Sequence, residues 1–172
     1  MTTLMNTDEK FYEDDNGVYF KSGYLSQWYE ASFIIDDTNY NCCEKFMMYQ
    51  KAIYFQDYEI AKEILNTNDP KEHKKLGRMV KNFDEEKWNN ICELVVYKAN
   101  YAKFTQNLNL KEKLLKTGKK IIVECSPYDN IWGNGLDITN TLKTLPENWK
   151  GTNKLGRILM VVRDNIMNNN YS

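Results

Sequence analysis

The segment Asp84-Glu85-Glu86-Lys87-Trp88-Asn89-Asn90-Ile91-Cys92-Glu93-Leu94-Val95-Val96-Tyr97-Lys98-Ala99-Asn100-Tyr101-Ala102 repeats apolar residues at intervals of three and four. Trp88, Ile91, Cys92, Val95, Ala99 and Ala102 therefore fall on one face of a helix, the longest in the chain. Asp84 stands where a carboxylate accepts from the unpaired N–H groups of a first turn. Glu85 and Glu86 suit the positive end of the helix dipole.

Reading upstream, Cys43, Phe46, Met47, Ile53 and Tyr54 predict a largely buried helix over Cys42 to Tyr54. Asp57 caps a shorter helix carrying Ile60, Ala61, Ile64 and Leu65. Asp69-Pro70 pairs a cap with a proline at the first helical position, and Gly77 is expected to stop that helix. Nearer the start, Val18-Tyr19-Phe20 and Ala31 to Ile35 read as short strands, with turns at Lys21-Ser22-Gly23 and Asp36-Asp37-Thr38-Asn39.

Downstream, Leu110 to Lys116 forms a helix halted by Gly118. Lys120 to Cys125 contains Ile121-Ile122-Val123, the strongest strand signal. Ser126 to Leu136 is a polar loop holding aromatic residues. Asn153 caps a last helix with Leu155, Ile158, Leu159, Val162 and Ile166 on one face. The pattern predicts an α+β fold, a single compact and mostly helical domain over 1–172, with flexible ends at 1–10 and 168–172.

The 172 residues suffice for a real core, and 42% hydrophobic content argues against disorder. No apolar run approaches the roughly 20 residues of a membrane span. Residues Met1 to Lys10 lack a signal-peptide core, so a cytoplasmic location, no membrane partner and no obligate protein partner are expected. Lys and Arg (23) nearly balance Asp and Glu (24), which excludes a strongly basic nucleic-acid coat but permits a local patch. Cys42, Cys43, Cys92 and Cys125 show no zinc-ligand spacing and His73 is the only histidine, so neither a metal nor another cofactor is expected. One histidine also disfavours a histidine-centred triad. Hydrolysis would fall to carboxylates, a lysine, or both.

Glu44 and Lys51 stand seven residues apart, about 700° of helical rotation and ~10 Å of rise, so they project from nearly the same face. They form a candidate carboxylate–amine pair, or one solvated face. Asp129 precedes Trp132 by three residues in a glycine-punctuated loop that includes Gly133. That tryptophan either anchors the loop to the core or stacks a ring beside an acid. Trp88 reads as core or as a stacking wall. Leu76-Gly77-Arg78 and Leu155-Gly156-Arg157 offer glycines for close approach and arginines for phosphate, or a helix stop and close helix packing.

Taken in order, these segments resemble the NADAR or YbiA-like family. The blocks are Tyr24-Leu25-Ser26-Gln27-Trp28-Tyr29, Glu44-Lys45-Phe46-Met47-Met48-Tyr49-Gln50-Lys51-Ala52, Lys75-Leu76-Gly77-Arg78, Trp88, Lys103-Phe104-Thr105-Gln106-Asn107, Leu114-Leu115-Lys116-Thr117-Gly118, Asp129-Asn130-Ile131-Trp132-Gly133, and Asn153 to Met160. The helix motif often reads Glu-His-Tyr-Tyr-Gln in that family and here reads Glu44-Lys45-Phe46-Met47-Met48. The resemblance implies a mainly helical α+β fold and cleavage of ribosyl N-glycosidic bonds. Its substrates are ADP-ribose on guanine in nucleic acid, favoured here, or phosphoribosylamino-pyrimidine intermediates of riboflavin synthesis. A non-catalytic ADP-ribose or nucleotide-binding module is the other reading.

The resemblance makes Glu44, Lys51, Trp88, Asp129 and Trp132 the site candidates, with Glu44, Lys51 and Asp129 catalytic and Trp88 and Trp132 substrate-binding; Gly133 of the same loop and, for phosphate, Arg78 and Arg157 of the glycine–arginine steps complete the substrate-binding set. In an oxocarbenium-like transition state, Glu44 or Asp129 can stabilise the sugar or donate a proton to the base. Alternatively, neutral Lys51 attacks C1′ and forms an imine, which requires a lowered pKa.

Overall fold

The computed structural model describes residues 10–169. In chain order the elements are β1 Phe11–Glu13, β2 Gly17–Phe20, β3 Phe33–Ile35, β4 Thr38–Tyr40, α1 Cys43–Tyr54, α2 Tyr58–Leu65, α3 Pro70–Arg78, α4 Glu85–Gln106, α5 Leu108–Lys116, β5 Ile121–Glu124, α6 Ile138–Leu142, a 3-10 turn Pro146–Asn148, and α7 Lys154–Asn169. Helices dominate and the strands are short, the α+β architecture expected from the sequence. The ends predicted to be flexible lie largely outside the described residues. No described helix is long and apolar enough to cross a membrane.

The chain partitions into two compact units. One is discontinuous, built from residues up to Ser26 and again from Asn109; the other is Gln27–Leu108.

The discontinuous unit centres on a three-stranded sheet ordered β1-β2-β5. β1 and β2 form an antiparallel hairpin with Phe11 opposite Phe20, its turn held by Asp14 Oδ1, which accepts from the N–H groups of Asn16 (2.8 Å) and Gly17 (2.9 Å). β2 pairs in parallel with β5, Gly17 opposite Ile121 and Phe20 opposite Glu124. β2 is buried along its whole length, the expected environment of a central strand. α7 covers β5 with Leu155, Leu159, Val162 and Ile166, all buried. Buried Arg163 donates from Nη1 to Thr117 Oγ1 (3.0 Å) and the Lys120 carbonyl (2.8 Å), tying α7 to the chain entering β5.

Asn153 departs from its expected role. Its backbone is left-handed, with φ 51°. Its side chain accepts from the Glu124 N–H (2.9 Å) and donates to the Ile122 carbonyl (3.0 Å), bracketing β5 instead of capping α7. The N–H groups of Lys154 and Leu155 go to the carbonyls of Ile131 (3.2 Å) and Trp132 (3.1 Å). Thus a loop about twenty residues earlier terminates this helix.

In the continuous unit, α1 is the hub. Residues Cys43 to Met48 are all buried, and α2, α3 and α4 pack on it. Asp57, Asp69 and Asp84 accept from Ile60, Lys71 and Lys87 N–H groups at 3.2, 3.0 and 3.0 Å, each capping as its sequence position predicts. Gly77 does not stop α3. It lies inside the helix against Met48, where an added Cβ would fall 2.0 Å from the methionine sulfur, so its small size serves packing.

β3 and β4 form a hairpin closed by Asp36 and Asp37, both left-handed (φ 50° and 64°), with Ile35 opposite Thr38. The tight turn therefore uses only the two aspartates, which tolerate that conformation, and Thr38 and Asn39 belong to β4. Gln106 at the end of α4 exchanges two hydrogen bonds with the Ile34 backbone, both 2.8 Å, and so substitutes for a neighbouring strand.

All four cysteines are buried and none is bridged. His73 is fully buried, its Nε2 2.6 Å from the Thr67 carbonyl and its Nδ1 3.7 Å from Cys42 Sγ. A carbonyl only accepts, so Nε2 carries the proton and Nδ1 takes the thiol's. Burial pushes the His73 pKa below its ordinary 6.5. The folded protein then binds fewer protons than the unfolded chain below 6.5, so stability is full above that pH and falls as the solution is acidified toward the lowered value. Urea unfolding from pH 7.5 to 5 should show this loss, with a shallower slope in His73→Gln; equal slopes would refute it.

Candidate active site

α1 carries the first set of candidate groups. Its rotation puts Glu44 and Lys51 on adjacent parts of one face. Glu44 is buried, its backbone N–H donating to the Gln27 carbonyl at 3.0 Å. Lys51 is half-buried, with Nζ 4.3 Å above the centre of the Phe83 ring. Burial is the main influence on Lys51 and lowers its pKa from 10.5; the Glu44 carboxylate opposes this and the Arg78 guanidinium adds to it. Glu44, Lys51 and Arg78 thus share one electrostatic neighbourhood. Arg78 itself is exposed, at the end of α3.

Phe83 was not legible as a site residue. It reaches Lys51 because Asp57, beyond capping α2, accepts from the Lys81 N–H through Oδ2 (2.9 Å) and so holds the turn leading into α4. Phe55 meets Phe83 edge-on at 5.4 Å and steadies the ring. A cation over an aromatic face is stabilised by about 0.5–1 kcal/mol in a partly exposed setting. That favours the ammonium form and offsets only part of what burial costs it.

Trp88 lies buried in the first turn of α4, on the apolar stripe. Farther along that helix is a residue whose position gave a usable signal, Lys103. It follows Ala99 by four residues, which puts a lysine on the core face. The side chain is fully buried, 5.0 Å from the Phe104 ring centre and 5.5 Å from that of Tyr29. Burial lowers its pKa, with Cys43 and Cys42 opposing. Nearby, Asn100 donates to Gln27 Oε1 (2.8 Å) and accepts from Cys43 Sγ (3.6 Å), leaving Gln27 Nε2 buried without a hydrogen-bond partner.

The second set, Asp129, Trp132, Gly133 and Arg157, belongs to the discontinuous unit. Asp129 Oδ1 accepts from the N–H groups of Ile131 and Trp132, both 2.9 Å. One carboxylate oxygen is therefore spent shaping the loop, and Oδ2 is the oxygen left for another partner. Gly133 is buried; a Cβ there would lie 3.0 Å from the Asp129 carbonyl and 3.1 Å from that of Glu124. Trp132 is half-buried, consistent with loop anchoring and with a partly open face. Arg157 is exposed on α7. Among the described residues, no three His, Cys, Asp or Glu side chains group as a metal site.

The NADAR domain family model matches residues 10–167. The chain is 39% identical over 146 residues to N-glycosidase R617 of Acanthamoeba polyphaga mimivirus, covering 81% of this chain and 85% of that one. It is 29% identical over 165 residues to riboflavin biosynthesis protein VVA0006 of Vibrio vulnificus, spanning 96% of this chain but 40% of that longer protein. The NMR structure of the E. coli protein YbiA superposes with a TM-score of 0.77 at 26% identity, covering 93% of this chain and 90% of that one.

Proposed function

The chain belongs to the NADAR domain family, with relatives named N-glycosidase, and from that premise we propose that it hydrolyses the bond joining ADP-ribose to guanine in nucleic acid. The observation that carries the reading is the Glu44–Lys51–Arg78 group, where burial and a neighbouring guanidinium both favour a neutral amine beside a buried carboxylate.

The chemistry follows from the groups. The neutral Lys51 amine donates its electron pair to C1′ as the C1′–N bond breaks and that bond's electrons pass to guanine. The Glu44 carboxylate stabilises positive charge developing on the sugar and relays the proton from Nζ to the departing base. The C1′–O4′ bond then breaks, its electrons passing to O4′, which takes the remaining Nζ proton, and the opened sugar is held as an imine at Lys51. Water adds at C1′, the C–Nζ bond breaks, and ADP-ribose leaves with Lys51 restored. The net reaction consumes one water and yields guanine-bearing nucleic acid plus ADP-ribose. Arg78, at the open end of α3, supplies a guanidinium for the diphosphate. In this reading Trp88 backs the site within the continuous unit, and Asp129 and Gly133 shape their own loop in the other.

A second reading, hydrolysis of a phosphoribosylamino-pyrimidine, is favoured by the name of the Vibrio vulnificus relative. Mass spectrometry of products from an oligonucleotide bearing ADP-ribosylguanine, and from the riboflavin intermediate, separates the two. Release of ADP-ribose from the oligonucleotide alone supports the first reading, and ribose phosphate from the intermediate alone supports the second. A binding module would release neither.

A further inference from the structure

α3 turns its positive charges to one side. At about 100° per residue, Lys71, Lys74, Lys75 and Arg78 fall within an arc of about 100°, spread over ~10 Å of helix. The buried side lies opposite and consists of His73, Leu76 and Gly77, the last packed against Met48 of α1. All four cations are exposed. Among the described residues none of them forms a salt bridge. The one carboxylate on α3 is Glu72, at the edge of the arc, and Asp69 before the helix is committed through Oδ1 to the Lys71 N–H (3.0 Å). α2, which also packs on α3, carries Glu59, Lys62 and Glu63.

Composition does not account for this stripe. Residues 27–108 hold 11 Lys and Arg against 13 Asp and Glu, so the unit is slightly acidic while four of its cations crowd one arc. Within the arc each cation has like-charged neighbours three or four residues away, the spacings at which they repel. A face that served only solubility would mix its signs. A polyanion laid along the helix relieves the repulsion and releases its own counterions. An aromatic ring flanks the stripe as well. Trp28 is 39% exposed, and its ring centre lies 6.0 Å from Lys74 Nζ. Regularly spaced negative charge alternating with flat rings describes a nucleic-acid strand, whose phosphates meet the cations and whose bases stack on the indole. The stripe ends at Arg78, whose charge acts on Lys51, so its last cation stands beside the reacting amine within the same unit.

We propose that this face of α3 is a track for the strand flanking the modified guanine, with Lys71, Lys74 and Lys75 taking backbone phosphates and Trp28 the face of a neighbouring base. This deepens, and rests on, the ADP-ribosylguanine reading, in which Arg78 keeps the diphosphate.

The test replaces Lys71, Lys74 and Lys75 together, once by Gln and once by Arg. The three side chains are exposed, so both variants should fold, as circular dichroism checks. Each is assayed on ADP-ribosylguanosine monophosphate and on a single-stranded DNA ten-mer bearing the same group. The Gln variant should raise KM for the ten-mer about tenfold at low salt and leave the mononucleotide unchanged, while the Arg variant stays near wild type. Equal loss on both substrates, or no loss on either, overturns the track. Anisotropy of an unmodified ten-mer against salt gives the second readout. Loss of three phosphate contacts should flatten the slope of log affinity against log salt by about 2, and an unchanged slope overturns the track. Trp28→Ala should weaken ten-mer binding about tenfold at the wild-type slope, since stacking releases no counterions; undiminished binding removes the ring from the track. If wild type cleaves no ADP-ribosylguanine, the functional reading fails, and the track stands only if the Gln variant still lowers both ten-mer affinity and slope. Wild-type protein that binds phosphatidylserine vesicles and not the ten-mer overturns the track in favour of a membrane surface.

Discussion

Lys51→Ala should abolish base release while the protein stays folded. The side chain is half-buried and its visible partner is the Phe83 ring, an interaction of about 0.5–1 kcal/mol, so its removal costs little stability. Turnover should fall far beyond tenfold. A tenfold loss corresponds to roughly 1.4 kcal/mol of barrier, too little for the group that makes the covalent bond. Lys51→Arg is the sharper variant. A guanidinium keeps the charge but stays protonated and cannot attack C1′. If Lys51→Arg retains near-normal turnover, Lys51 is an electrostatic clamp and a carboxylate must activate water instead. Borohydride added during turnover should attach the reduced sugar to Lys51, visible as added mass on the peptide containing it.

The electrostatics add a pH signature. Only the neutral amine reacts, so activity should rise with pH toward the lowered Lys51 pKa, placing the acid limb below the ordinary 10.5. Arg78→Ala removes a positive neighbour and should shift that limb upward. A limb that does not move would separate Arg78 from the chemistry.

The largest stability loss is expected at Gly156. A Cβ there would sit 2.1 Å from the Ile122 carbonyl oxygen and 2.4 Å from Asn153 Oδ1. The first is backbone in a paired strand; the second is the bracket on β5. Neither can move without breaking hydrogen bonds. Alanine gains about 1 kcal/mol of helix propensity over glycine, but forcing α7 off the sheet should cost more, for a net loss of about 3 kcal/mol. For a chain of this length that lowers Tm by roughly 10 °C. Gly77→Ala makes the informative contrast. Its clash is with the sulfur of Met48, which can swing aside, so Tm should change by only a few degrees. Thermal unfolding followed by circular dichroism checks both, and similar shifts would refute the argument that backbone and side-chain obstacles differ.

The two glycine–arginine steps show where reading the chain alone runs short. In sequence, Gly77 resembled a helix end and Gly156 a packing site; in the structure both are packing sites. A helix-stopping glycine and a contact glycine look alike locally, and only the presence of Met48 across from α3 distinguishes them. Lys103 is similar. Its spacing four residues after Ala99 is a signal that a stripe read only to Ala102 stops short of, and its complete burial depends on Tyr29, Phe104, Cys42 and Cys43. Phe83 gave no signal, because its position over Lys51 is set by the Asp57–Lys81 hydrogen bond across 24 residues.

What held from the chain alone was short in range. Asp57, Asp69 and Asp84 cap their helices because a cap spans two or three residues, and the stripe from Trp88 to Ala102 is buried except at half-buried Ile91, because helical geometry alone puts those residues on one side. The Glu44–Lys51 relation follows from the same rotation. Tertiary structure decided the rest. β1 and β4 are only three residues long, too brief for a periodic signal, and exist through their partners. The sequence places an Asn153 cap at the start of α7, yet the first N–H groups of that helix are satisfied by the Ile131 and Trp132 carbonyls while the Asn153 side chain is drawn to β5. A polar group takes whichever partner folding brings within about 3 Å, and across twenty or thirty residues that partner is chosen by packing, not by spacing along the chain.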